Sequence, residues 1–322
     1  MESVKVIKPG FFTTVQDLGR HRYQNIGIST AGAMDALSLR LANLLVGNEE
    51  EDAALEVTLI GPKLRFAGDG AIAITGGDLS PALNGIPVQM WTSIPVGKDD
   101  ELSFGNCVAG CRAYVAIAGG VNVPRIMGSR STFSRGHYGG VEGRALKSGD
   151  EVPIGNCLFK LNDIEGRRLR PDAIPDYGKD RAIRFIPGPQ AEAFIEQSLD
   201  QFTSTPYVVA NESDRMGYRL QGQQLNHVNG ADIISDFIAV GSIQVPANGQ
   251  PIILMADCQT TGGYTKIGVV ISVDLPYVAQ KKPRDQIRFE AVDVTYAQDL
   301  YRKREKMITG LKLLNRMLPA LR

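Results

Sequence analysis

The chain has 322 residues, and its 35 lysines plus arginines are balanced by 35 aspartates plus glutamates. A formal net charge of zero excludes the broad basic field that a nucleic-acid or anionic-membrane partner needs, and the length suffices for two domains or one large one. Four cysteines without a Cys-x-x-Cys pair and three scattered histidines predict no metal site, and the absence of an apolar signal core or membrane-length run predicts a cytoplasmic protein.

Short apolar runs at 4–7, 71–75, 113–118, 182–186, 252–256 and 267–273, separated by abundant glycine and proline, predict a mainly β chain with added helices, an α+β class. They do not alternate with an equal number of helices. Barrels or sandwiches therefore fit better than a doubly wound sheet.

In chain order, the blocks 13–20 and 27–35 are too polar and glycine-bearing for core strands. Asp17 and Arg20 suit a salt bridge that pins a loop, with Arg20 as an anion clamp the alternative. Asp35 reads as the N-cap of a helix whose face is Met34, Leu37, Leu41, Leu44 and Leu45, stopped at Gly47-Asn48. Gly68-Asp-Gly70 matches a dinucleotide fingerprint but runs on as a strand, where the pyrophosphate would need a helix N-terminus. No P-loop is present.

The loops 128–133 and 139–150 are rich in glycine and basic residues. They read either as tight turns or as a donor cluster, Ser129, Arg130, Ser131 and Arg144, for a phosphate or carboxyl group. The polar stretch 162–180 predicts a boundary, giving an N-terminal unit 1–178 and a C-terminal unit 179–322. A second helix is expected to open at Pro189 and run through Phe194, Ile195 and Leu199. A third lies in the tail, with a stripe of Leu300, Ile308, Leu311, Leu314 and Leu318 opposite the basic run 302–306.

The C-terminal unit carries the densest candidate site. Asp214 and Arg215 stand beside Gly217, where a turn is needed for both to face one pocket. Gln244 lies in an apolar run, so its amide needs partners or a cavity. The apolar strand 252–256 delivers Asp257, Gln259, Thr260 and Thr261 to a rim, followed by Gly262, Gly263, Tyr264 and Lys266. Gly262-Gly263 reads either as an anion cradle of bare N–H groups or as a hairpin turn with positive φ.

Segments 13–20, 27–35, 74–78, 128–133, 139–150, 213–220, 241–266 and 273–276 together resemble the biotin-dependent carboxyltransferase, subdomains A and B, family, across nearly the whole chain. The Gln-Thr-Thr-Gly-Gly-Tyr stretch is its most distinctive part. At Ser235-Asp-Phe-Ile238 the sequence departs from the Ser-Glu-Gly more often found in the family.

The resemblance implies a cyclophilin-like β-barrel in a two-subdomain chain. It also implies a role as the C subunit of an ATP-dependent 5-oxoprolinase, opening 5-oxoproline to glutamate with a KipI-like B subunit and a 5-oxoprolinase A subunit. ATP is used by the complex, with the chain that binds it left open. Two alternatives come with the family: antagonism of a KipI-type kinase inhibitor, or a carboxyltransferase role that would use biotin on a separate carrier. Under the hydrolase reading Arg215 or Arg130 holds a substrate carboxylate, Lys266 with the Gly262 and Gly263 N–H groups meets phosphoryl or oxyanion charge, and Asp257 or Asp214 manages a proton.

Overall fold

The computed structural model describes residues 1–157 and 159–317. Strands predominate, with few helices, as the apolar runs predict. Two compact units are defined by contacts: 1–20 with 31–178 and the chain from 307 onward, and 21–30 with 179–306. Residues 21–30 thus belong with the second unit, and the long helix Val294–Met317 is shared by sequence between the two.

The first unit is built on two sheets. One runs Glu151–Pro153, Ser3–Lys8, Lys63–Phe66, Glu101–Phe104, Pro81–Leu83, Ile86–Pro87; the other runs Phe12–Gln16, Ala54–Thr58, Ala109–Ile117, Gly70–Asp78, Ser93–Val96. Alternation along each strand sorts side chains between layers. Ile72, Ile74, Val115 and Ile117 join Val4, Val6, Leu64 and Phe66 in the inter-sheet core. Ala71, Ala73 and Ala116 turn the other way, leaving room for the helix Ala36–Leu45 and its Leu37, Leu41, Leu44 and Leu45. Ile308 of the long helix lies in this second core, and Leu311 packs against it. Leu300 is half-buried. The side chain of Leu314 and all of Leu318 fall outside the described residues.

Asp35 caps the helix as its position predicts, accepting from the Ser38 N–H at 2.9 Å. It also accepts from Ser38 Oγ at 2.7 Å and from the Tyr177 hydroxyl at 2.6 Å. Nearby the Tyr114 hydroxyl donates to Glu56 at 2.7 Å and accepts from the Asp35 N–H at 2.8 Å. Burial, then the charges of Glu56 and Asp35, hold the Tyr114 phenol well above its ordinary pKa, so it remains a donor.

In the second unit one sheet curls almost into a barrel, in the order Gln286–Ile287, Tyr207–Val209, Gly217–Gln221, Ile252–Leu254, Ser242–Gln244, Lys266–Val270, Ile183–Pro187, Phe289–Ala291. Its two edge strands are separated in sequence only by Arg288. A barrel leaves no long free edge. Phe185, Phe202, Tyr207 and Phe289 form an aromatic cluster, with Phe202 stacked on Phe289 at 4.3 Å between centroids.

The helix expected from Pro189 is shorter than its pattern. A 3-10 turn covers Ala191–Ala193, and the α-helix begins at Glu196. Phe194 is extended instead, pairing with His227 and packing tilted against its ring at 4.6 Å between centroids, while the Ile195 N–H donates to Asn226 O at 3.2 Å. Tertiary pairing overrides the local periodicity there. Among the described residues no helix is long and apolar enough to cross a membrane.

Asp35→Ala removes the cap and leaves buried donors unmet, so the first unit should lose about 2 kcal/mol or more. Urea unfolding followed by fluorescence of the sole tryptophan, Trp91, which lies in the helix-side core, checks this.

Candidate functional site

The strand Ile252–Leu254 lies in the barrel between Gly217–Gln221 and Ser242–Gln244. After it the chain turns, and the Asp257 N–H donates to Arg215 O at 2.9 Å. Thr261–Tyr264 then leaves the barrel to form a two-stranded ribbon with Asp232–Phe237, pairing Gly262 with Asp236 and Thr261 with Phe237. Lys266–Val270 rejoins the barrel, where Lys266 stands opposite Gln244.

Gly262 and Gly263 are therefore strand residues, and neither has positive φ. The hairpin-turn reading is replaced by one of close approach. A Cβ on Gly262 would lie 2.5 Å from Ile238 Cδ1 and 2.7 Å from Gln244 Nε2. Glycine at 262 lets the backbone pass directly over the Gln244 amide.

Lys266 is the charged centre of this region. Its residue is 4% exposed, and its ammonium forms an ion pair with Asp236 and donates to Phe237 O at 3.1 Å. The Lys266 ammonium, then the Phe237 N–H, hold the Asp236 carboxyl below the usual carboxylate range. Gln244 is buried, and its Nε2 has no hydrogen-bond partner among the described residues; the same holds for Gln259 Oε1. Gln244 stands opposite Lys266 in the ladder, and its unmet donor is what a ligand there would satisfy. Thr260 is buried with its carbonyl accepting from the Ile238 N–H at 2.9 Å, whereas Thr261 and Tyr264 are exposed at the rim.

The remaining candidates have structural partners. Arg215 and Asp257 form a buried two-pronged ion pair, at 3.0 Å from Nε and 2.9 Å from Nη2. This fork fixes the turn from which Gln259 and Thr260 project. Asp214 is exposed and accepts from the Met216 and Gly217 N–H groups at 2.8 and 3.2 Å, so it closes a turn of its own. Ser29, in the 21–30 segment, donates to Cys258 O at 2.7 Å. Burial and the Asp257 charge push the Cys258 thiol up to about 12, so it stays protonated and is no nucleophile at neutral pH.

Arg130 lies in the first unit, where Nε donates to Val123 O at 2.9 Å and Nη2 to Asn122 Oδ1 at 2.8 Å. The donor cluster expected around it is turned inward. Ser129 Oγ, Ser131 Oγ and the Arg130 N–H all donate to the Asp17 carboxylate, at 2.7, 2.5 and 2.5 Å. Arg20 donates to Ser131 O at 2.6 Å. The anion in this cradle is the protein's own. Arg144 likewise holds Asp150 and Glu142.

A cavity of about 610 Å³ in the first unit is lined by Trp91, Met90, Val88, Tyr177, Asp78 and Asp176, among others. Its charged lining is carboxylate, which opposes an anionic ligand.

Sequence patterns alone do not single out Asp236. A signal for it does exist: a lysine at a barrel position needs a counter-charge, and the 235–238 segment, where the family pattern breaks, supplies it.

Comparison with known proteins gives a consistent result. The model of the carboxyltransferase domain, subdomain A and B, matches residues 26–291. The C subunit of 5-oxoprolinase from Escherichia coli is 41% identical over 277 residues, covering 86% of this chain and 87% of that protein. Its Haemophilus influenzae counterpart is 39% identical over 292 residues, covering 91% and 92%. The crystal structure of the K. lactis urea amidolyase superposes with a TM-score of 0.89 at 33% identity, covering 96% of this chain but only 20% of that one.

Two outcomes test the geometry. Gly262→Ala should cost about 2 kcal/mol in urea unfolding, because its Cβ has no room. Gly263→Ala, whose Cβ would meet its nearest atom, Ile233 O, at 3.3 Å, should cost less; the reverse order would refute close approach as the reason for glycine at 262. Burial holds the His227 imidazole below its ordinary pKa, with Nε2 2.9 Å from Thr265 Oγ1. The unfolded chain then binds the extra proton first, so stability present above about pH 6.5 is lost as pH falls through the folded pKa. Thermal melts across that window should show a smaller acid-side drop for His227→Gln than for the parent.

Proposed function

We propose that this chain, which belongs to the carboxyltransferase domain, subdomain A and B, family, serves as the C subunit of a cytoplasmic, ATP-dependent 5-oxoprolinase. The observation that carries the reading is that two proteins named as C subunits of 5-oxoprolinase match it along most of both lengths, whereas the urea amidolyase contains its counterpart as a fifth of a longer chain. The partners are a KipI-like B subunit and a 5-oxoprolinase A subunit, and the chain is inactive alone.

A lactam carbonyl is a poor electrophile because its amide is resonance-stabilised. ATP supplies the activation, by phosphorylating that oxygen before water attacks. The chain's own residues answer the charge this creates. Lys266 and Gln244 Nε2 are donors toward an anionic oxygen, with the ribbon backbone at Gly262 and Gly263 beside them. Gln259 Oε1 is an acceptor for a ligand N–H. Thr260, Thr261 and Tyr264 shape the rim, and the Arg215–Asp257 fork holds the turn in place. In this reading Asp257 positions and does not touch the ligand.

A second reading has its own observation, the TM-score of 0.89 to the urea amidolyase. There the same donors would face a carboxyl group delivered by biotin on a separate carrier.

The test is 5-oxoproline-dependent ATP hydrolysis by this chain purified with its candidate A and B subunits, omitting each in turn. Activity should require all three, and Lys266→Met should lower turnover at least about a hundredfold without unfolding the protein. Full activity in that variant would remove Lys266 from the site. An intact complex that hydrolyses no ATP with 5-oxoproline, but carboxylates a substrate from carboxybiotin, would replace the first reading with the second.

A further inference from the structure

The Lys266–Asp236 pair is lopsided. The lysine side chain is 5% exposed and the aspartate side chain 50% exposed, so Asp236 lies on the solvent side of the ammonium. A half-exposed carboxylate can leave the ammonium for water at less cost than a buried one, because its desolvation is incomplete.

Asp236 is also carried on the ribbon rather than on the barrel. The ribbon's register breaks between Asp232 and Asp236, and its side chains reach far into solvent, with Ile234 95% and Phe237 60% exposed. On the barrel side of the pair, Gln244 stands opposite Lys266 in the ladder, with its unmet Nε2 against Gly262. The unmet Gln244 donor thus lies against the ribbon residue that pairs with Asp236, and its strand position faces the lysine that holds the Asp236 carboxylate.

We propose that Asp236 is a stand-in for the ligand: its carboxylate holds the position at Lys266 that an anionic oxygen of the ligand takes, and the ligand enters by displacing it. Gln244 Nε2 gives the incoming oxygen a second hydrogen bond that Asp236 does not use. This rests on the reading that Lys266 faces the ligand, but not on the identity of the reaction. The anionic oxygen belongs either to a carboxylate or to a phosphoryl group, and the two are separable by probe.

The test is isothermal titration of the full chain with 5-oxoproline and, separately, with inorganic phosphate, comparing the parent, Asp236→Asn, Asp236→Ser and the Asp236→Asn, Lys266→Met double variant. Removing the resident carboxylate should tighten binding of at least one probe about tenfold, the factor expected if the masked state holds about nine-tenths of the population. The gain should vanish in the double variant. Tightening for 5-oxoproline assigns the place to a carboxylate; tightening for phosphate alone assigns it to a phosphoryl group. If a folded aspartate variant binds neither probe more tightly, or if the gain survives loss of Lys266, the stand-in role is wrong. Should both aspartate variants fail to fold, with the ligand unable to rescue them, Asp236 is a structural counter-ion and the proposal also falls. None of these outcomes depends on ATP turnover by the complex, so the reaction assignment stands or falls separately.

Discussion

An ammonium withdrawn from water must be met by an anion or it destabilises the fold by several kcal/mol, and much of the second unit's local architecture follows from meeting that demand at Lys266. The lysine sits in a barrel strand, so its partner has to come from outside the barrel wall. The ribbon of Asp232–Phe237 and Thr261–Tyr264 brings it. For the ribbon to lie close enough, the residue over Gln244 must have no side chain, which places glycine at 262. Counter-charge, ribbon and glycine are one solution to one electrostatic problem.

The first unit handles its buried charges differently. Asp17 is closed off by two hydroxyls and two backbone N–H groups, and Asp35 by a helix N-terminus, a serine and a tyrosine. Each carboxylate has its lone pairs matched by short hydrogen bonds from fixed donors. Such networks specify a loop or a cap and leave little for a ligand to gain. Unmet buried atoms occur in both units, Gln16 Oε1 and Thr132 Oγ1 among them; what distinguishes Gln244 is that its Nε2 lies against Gly262 and its strand position faces the buried Lys266.

The strands are legible in the sequence because period-two alternation and apolar runs report burial directly, as at 71–75 and 113–118. The Asp35 cap is legible because the interaction is local. The helix from Pro189 is not, since its start is set by Phe194 pairing with His227, far along the chain. At the site, Gln244 and Lys266 are recoverable as polar residues in apolar strands. Asp236 is harder to recover, because the lysine that it meets lies 30 positions downstream and only the fold brings the two together. The Ser129–Ser131 cluster misleads for the complementary reason: its donors are visible, but their acceptor is more than a hundred residues upstream.

The barrel's seam lies at a single residue, Arg288, between two short edge strands. Ile183–Pro187 receives its parallel partner only from Phe289–Ala291, so its outer edge stays unpaired until the ribosome has made about a hundred further residues. At a synthesis rate of roughly 5–20 residues per second, the nascent unit carries an open edge for several seconds or longer. During that interval the chain is a template for strand addition by its neighbours. Its yield in a cell should therefore depend on translation speed and chaperone supply more than the finished barrel's stability suggests.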